Sequence, residues 1–409
     1  MAADAVVAEG RALVWIPDPT GAVAGRRLEP AWLPVFYNPV MEFNRDLSVV
    51  ALQAYIDLYA PHKPVTIVEP LTATGVRSVR YALEVEGVGR VIAGDIDPEA
   101  VEYAARNVRS NGVEDVVEVR RADASALLYR VSREEGEPVL VVDLDPFGSP
   151  APFMDAALAA IGHRGLLAVT ATDLAVLEGS KRRVALRRYH VRIERIPQAR
   201  EIALRVLLGY AARVAAAHDK ALRPLLAYWA DHYVRAYMLV ERGARAADRM
   251  LEECIAMARW CRDLGHPLFE GCPTPTRAPE LGPLWACDLG DEDFAARLAR
   301  LAPERYGYLA SIARIKSLVS VLLEELPLSR GRFYYETWAL AASLKIDTPS
   351  RRGLAEELES RGWRSSPTHL SPAGLRSDAP LVEVVDAAVK LYHHRRGARG
   401  PSSRARLEV

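Results

Sequence analysis

Residues 139–150 read VLVVDLDPFGSP: an aliphatic run, two carboxylates at Asp143 and Asp145, then Pro146, the ring of Phe147 and Gly148. Acids are poor strand residues, so a buried strand that ends in two of them beside a bare ring needs a bound group to account for both. The pattern recurs along the first half of the chain. VTIVEP (65–70), RVIAGDID (90–97), VVEVRRAD (116–123), VLVVDLDP (139–146) and LLAVTATD (166–173) are short β-branched runs carrying Glu69, Asp95, Asp123, Asp145 and Asp173 at their ends. Capping of the helices that follow explains part of this. An acid at all five ends also implies a ligand, because neighbouring carboxylates repel one another.

Between these runs, VRSVRYALEVE, PEAVEYAARNVRSNG and PFMDAALAAIG space apolar residues at helical intervals. Strand and helix in alternation predict an α/β fold with a mostly parallel sheet covered by helices on both faces. In such sheets ligands bind at the carboxyl ends of the strands, where the acids lie. From residue 200 to 261 the chain reads as largely helical, with one strand at YVRAYMLVE; a Pro- and Gly-rich connection, HPLFEGCPTPTRAPELGPLW, follows. This predicts a first domain over residues 1–217, including an N-terminal extension, and a smaller α+β domain over 218–409. Near the end, YYETWALAASL, SRRGLAEELESRG and WRSSPTHLSPAGLRSD read as helix, helix and turn-rich ribbon, the order of a winged helix.

A chain of 409 residues is too long for one ordinary core. Its 53 basic and 53 acidic residues balance, which excludes a general polycation but not local patches. Lys181, Arg182, Arg183, Arg187, Arg188, Arg192 and Arg195 form one patch, and Lys390, Arg395, Arg396, Arg399, Arg404 and Arg406 another, so a polyanionic partner is expected. Apolar runs fall short of the roughly 20 residues that cross a bilayer. MAADAVVAEG has no basic-then-apolar leader, so the expected compartment is the cytoplasm. Scarce Asn and Gln suggest a thermophile. Oligomeric state leaves no signal, and a monomer is the default. Cys254, Cys261, Cys272 and Cys287 include no C-x-x-C pair; buried free thiols are favoured over a disulfide or a zinc site with His266, and no metal is expected.

The loop after the first strand, EPLTATGVRS, lacks the G-x-G-x-x-G that lets bare backbone approach a pyrophosphate. Glu69 would repel a pyrophosphate and suits a ligand with a cationic end. S-adenosylmethionine fits: Asp95 is placed for ribose hydroxyls, Ile96 for the adenine face, and Asp123 and Ala124 for the adenine's polar edge.

An acid, Pro and an aromatic residue after the fourth strand resemble the D/N-P-P-Y/F motif of methyltransferases that modify exocyclic amines, with the second Pro missing. Together with FYNPVMEFNRD (36–46), TATGVRS (72–78), GDIDPEA (94–100), TATDLAVLEG (170–179), REIALRVLLG, PLLAYWADHYVRAY and GPLW, the chain from about residue 30 to 345 resembles the tRNA (guanine-26, N2)-dimethyltransferase family. That resemblance implies a class I S-adenosylmethionine-dependent methyltransferase fold, Rossmann-like, acting on tRNA. It implies donor contacts at Arg45, Arg77, Asp95, Ile96, Asp123 and Ala124, base-clamping rings at Phe36 and Phe147, and a catalytic acid at Asp145. The Pro146 carbonyl is placed to hold the second N–H of the amine, while Asp143 reads as scaffold. Methylation of another exocyclic amine of RNA or DNA, or non-catalytic tRNA binding, are the competing readings.

Overall fold

The five aliphatic runs form the parallel part of one sheet: β1 (Val65–Glu69), β2 (Val88–Asp95), β3 (Val117–Arg121), β4 (Val139–Leu144) and β5 (Leu166–Ala171), in spatial order β3-β2-β1-β4-β5. Every residue of β4 and β5 is buried, which is why they read as unbroken rather than alternating apolar runs. The chain moves outward from β1 to β3 and then returns to place β4 on the other side of β1. That reversal is the switch point at which such sheets bind ligands.

In this computed structural model residues 4–24, 27–273 and 278–398 are described; Arg399, Arg404 and Arg406 of the basic tail lie outside them. The helices that position the strand ends are α1 (Glu42–Leu58), α2 (Val76–Glu84), α3 (Pro98–Ser110), α4 (Ala124–Tyr129) and α5 (Met154–Ala160). Gly75 opens α2 at φ +76, where a Cβ would also sit 3.0 Å from the Ala104 backbone of α3. Only glycine meets both demands, so this single Gly serves helix packing rather than a phosphate cradle.

Two antiparallel strands complete the sheet. β6 (Lys220–Ala230) pairs with β7 (Tyr233–Arg242), which pairs with β5. β7 is the strand expected at YVRAYMLVE. KALRPLLAYWA was expected to be helical and is a strand, with a bulge between Pro224 and Leu226. It is buried on both faces, and such a run has no period by which to tell strand from helix. IAMARWC is likewise a strand, Ile255–Cys261, paired with His266–Leu268 and Glu280–Trp285.

The chain divides into two compact units. One runs through Leu174 and adds Leu207–Cys254 and Leu289–Ser320; the other comprises Ala175–Val206, Ile255–Asp288 and the chain from Val321 on. The units interleave rather than meeting at residues 217 and 218, because β6 and β7 hydrogen-bond into the sheet begun by β1. In the second unit the helices Thr337–Leu344 and Arg351–Ser360 precede an antiparallel ribbon, Ser365–Thr368 with Ser371–Ser377, as the sequence suggested. Leu340, Leu354, Leu358, Leu375 and Val384 form their core. The cysteines are not free thiols: all four are oxidised, Cys261 pairing with Cys272 at a Cα separation of 5.6 Å. Among the described residues no helix is long and apolar enough to cross a membrane.

The end of β4 is tied to its surroundings by charge. Asp143 is fully buried and accepts from Arg235 of β7 at 2.7 and 2.8 Å and from the Tyr81 hydroxyl of α2 at 2.5 Å. Burial alone would raise its pKa, but Arg235 and then Arg77 outweigh that and hold the carboxyl down at about 2. Arg235→Met should cost about 3 kcal/mol by stranding this acid. In a double-mutant cycle with Asp143→Leu, the pair should cost less than the two single changes together. Additive losses in chemical denaturation would contradict this.

Candidate functional site

A cleft of about 450 Å³ opens at the carboxyl ends of β1, β2 and β4, within the size range of small-molecule sites. It is lined by Phe36, Arg45, Arg77, Asp95, Ile96, Asp145, Pro146 and Phe147 among the expected residues, and also by Glu69, Thr74, Thr172 and His232. Asp123 and Ala124 are not brought to this lining. Asp123 is exposed and caps α4 by accepting from the Ala126 amide at 3.0 Å.

Asp145 begins where β4 ends. Its Oδ2 accepts from Arg77, and among the described residues Oδ1 has no donor. Arg77 is almost wholly buried; it also donates to Asn44 Oδ1 at 2.9 Å and Ser48 Oγ at 2.8 Å, both on α1. Its guanidinium lies 3.6 Å from Glu69 and 3.7 Å from Asp143. The turn that follows fixes the ring. Gly148, at φ +76, donates to Thr172 Oγ1 at 2.8 Å and accepts from the Thr172 amide at 2.8 Å. This pins the turn to the end of β5 and leaves Phe147 68% exposed. Phe36 meets it edge-on, with centroids 4.2 Å apart and planes at 86°. No slot lies between rings in that contact, so a base entering the clamp must part them.

Glu69 ends β1 buried, accepting from Thr72 Oγ1 at 2.9 Å and from Ser78 Oγ. Burial pushes its carboxyl up to about 7, against the pull of Arg77. Three acids, Glu69, Asp143 and Asp145, thus face two guanidiniums, Arg77 and Arg235, so the site has room for one more positive charge. Asp95 accepts from the Ala73 amide at 2.9 Å and the Asp97 amide at 3.1 Å. A carboxylate has about four lone-pair sites, which leaves about two for hydroxyls. Ile96 beside it is 64% exposed, and the Thr74 hydroxyl is buried with no partner among the described residues. This donor set fits a cationic nucleoside without phosphate. Arg45 is committed differently: it donates to Glu9 through Nε at 2.6 Å and Nη2 at 2.5 Å, and to the Asn38 carbonyl at 3.2 Å.

Comparison with known proteins bears on this arrangement directly. Residues 24–389 match the sequence model of the N2,N2-dimethylguanosine tRNA methyltransferases. The chain belongs to that family. The tRNA (guanine(26)-N(2))-dimethyltransferase of Aeropyrum pernix is 46% identical over 396 residues, covering 95% of this chain and 97% of the relative. The enzyme of the same name from Saccharolobus solfataricus is 35% identical over 389 residues, covering 92% and 97%. Trm1 from Pyrococcus horikoshii, solved in complex with S-adenosyl-L-methionine, superposes with a TM-score of 0.82 at 32% identity, covering 94% of this chain and 99% of that one. The doubly wound, mostly parallel sheet is the class I fold expected of a methyltransferase in this family.

Several residues in and around this cleft escape sequence reasoning. Arg235 carried a readable signal, since a lone charge inside an apolar strand must find a buried partner. Asn44 and Ser48 lie one helical turn apart on α1, a spacing that becomes meaningful only once Arg77 is known to face them. His232, on the turn between β6 and β7, had no signal at all while β6 was read as helix.

The raised carboxyl of Glu69 makes stability depend on pH. Below the ordinary value of 4.5 both folded and unfolded chains hold the proton. Between there and about 7 the unfolded chain releases a proton that the folded chain keeps, so this contribution to stability is lost as pH rises through that window. Glu69→Gln should flatten the fall in melting temperature of the ligand-free protein between those pH values. An identical slope in both proteins would contradict the assignment.

Proposed function

We propose that this protein methylates the exocyclic N2 amine of guanine 26 in tRNA, twice, with S-adenosylmethionine as donor. The observation that carries the reading is Asp145: one oxygen anchored by Arg77, the other without a donor among the described residues, beside the exposed ring of Phe147. When bound, S-adenosylmethionine supplies an electrophilic methyl group on a sulfonium.

The chain's own residues do the rest. Asp95 accepts from the ribose hydroxyls and Ile96 packs on the adenine. Glu69 balances the donor's positive charge, and Thr74 offers a buried hydroxyl. Arg77 and Arg45 act from the cleft wall, Arg77 by orienting Asp145 and Arg45 by holding Glu9 against α1. The guanine must leave its stack, which costs a few kcal/mol, about what stacking on Phe147 and Phe36 returns. A guanine amine is a weak nucleophile because its lone pair is delocalised into the ring. Asp145 Oδ1 accepts one N–H and takes its proton, and the Pro146 carbonyl holds the other. After the first methylation one N–H remains, and the same acceptor serves it. Asp143, fully committed to Arg235 and Tyr81, cannot substitute. Part of the second unit is proposed to hold the tRNA, and the protein to act as a monomer in the cytoplasm.

Asp145→Ala should lower label transfer from methyl-labelled donor to tRNA by about 10²–10⁴-fold, with donor binding still present by calorimetry. Near-normal transfer would remove Asp145 from the chemistry. Phe147→Ala should cost about 1–3 kcal/mol in kcat/KM for tRNA, again without loss of donor binding; an unchanged kcat/KM would remove Phe147 from the clamp.

A further inference from the structure

Residues 175–206 carry nine Lys and Arg against three acids in a chain whose charges balance as a whole. The helix Arg182–Tyr189 explains how they are displayed. It turns Ala185 and Tyr189 inward, one helical turn apart, and leaves Arg182, Arg183, Leu186, Arg187 and Arg188 exposed. Beside it the chain runs straight through Arg192, whose amide and carbonyl exchange hydrogen bonds with Gly282 at 2.8 and 2.7 Å. This bridge fixes Arg192 against the strand Glu280–Trp285. Between helix and bridge lies a concavity of about 300 Å³ lined by Ile193, Pro279 and Leu281, by Arg182, Arg183 and Arg192, and by two acids, Glu194 and Glu280.

The acids nearby do not neutralise this surface. Glu194 is shared by Arg182 at 3.4 Å and Arg262 at 3.5 Å, and Glu280 is met by Arg259 at 3.2 Å. Among the described residues no ion pair reaches Lys181, Arg183, Arg187 or Arg192. Like charges gathered without counter-ions repel one another, and a polyanion relieves that. All but one of these exposed cations are Arg, whose planar fork grips phosphate oxygens bidentately. Leu186, 45% exposed among them, offers apolar contact to a sugar edge. A single exposed Leu on a two-turn helix is too little apolar surface to enter a bilayer interface.

We infer that this concavity and its basic helix form a phosphate-binding surface for the RNA substrate, gripping the sugar–phosphate backbone without reading bases. The identity of the polyanion rests on the proposed function; the surface itself rests on its geometry and charge.

The test is binding of full-length protein to a tRNA transcript over a range of salt, comparing wild type with Arg183→Glu/Arg187→Glu/Arg192→Glu and with the matching triple Lys variant. The reversed variant should bind about tenfold or more weakly, with the slope of log K against log salt shallower by about two. The Lys variant, which keeps the charge but not the fork, should keep the wild-type salt slope and lose much less affinity than the reversal. KM for tRNA should rise while kcat at saturating tRNA and the donor's dissociation constant hold. If the triple reversal melts early, the single reversals carry the test, each weakening binding severalfold. Unchanged affinity and slope would overturn the inference, as would lost binding to anionic phosphatidylserine vesicles with tRNA binding intact. Wild-type protein that binds tRNA through this surface without methylating it would overturn the proposed function and leave the surface standing.

Discussion

The arrangement of the site depends on a guanidinium that water barely reaches. Burying a charge costs several kcal/mol even after relaxation, and the cost is offset only where acceptors surround it. Arg77 has them on three elements: Asn44 and Ser48 from α1, Glu69 from β1, and Asp143 from β4 with Asp145 just past its end. These elements are far apart in sequence and meet at the sheet's switch point. The side chain that ties them also fixes the direction of the Asp145 carboxylate.

The charge count around Arg77 explains why a cleft forms there rather than a sealed core. Arg235 neutralises Asp143 and Arg77 holds Asp145, which leaves Glu69 without a full partner. A buried acid in that position either keeps its proton or waits for a cation. A family whose Pyrococcus horikoshii member was solved with a sulfonium nucleoside supplies such a cation, and the unpaired lone pairs of Asp95 and the exposed Ile96 suit the rest of that ligand.

The parallel half of the fold was legible because β1, β4 and β5 are buried almost throughout and the five strands are separated by amphipathic helices, so composition and period agree. β6 failed for the same reason that β4 succeeded: a run buried on both faces has no period, and without alternating neighbours to frame it, it was read as helix. The cleft-lining acids were legible because strand ends are a fixed place in such a fold. What holds the acids at the end of β4 was not, since Tyr81 and Arg235 reach Asp143 across 62 and 92 residues of sequence and Arg77 reaches Asp145 across 68. The scarce asparagines were a better signal than their use as a thermal marker allowed. Asn38 caps Val40, Asn44 holds Arg77, and Asn107 joins the Trp15 backbone to the Thr74 carbonyl.

The central claim is that Asp145 and the two rings present one atom, the N2 of a flipped guanine, to the donor. Nucleoside mass spectrometry of tRNA incubated with the protein and isotopically labelled S-adenosylmethionine, with fragment mapping of the modified position, tests it most directly. The account predicts labelled N2-methylguanosine converting to N2,N2-dimethylguanosine at position 26. Label on a ring nitrogen, on ribose or on another base would contradict it.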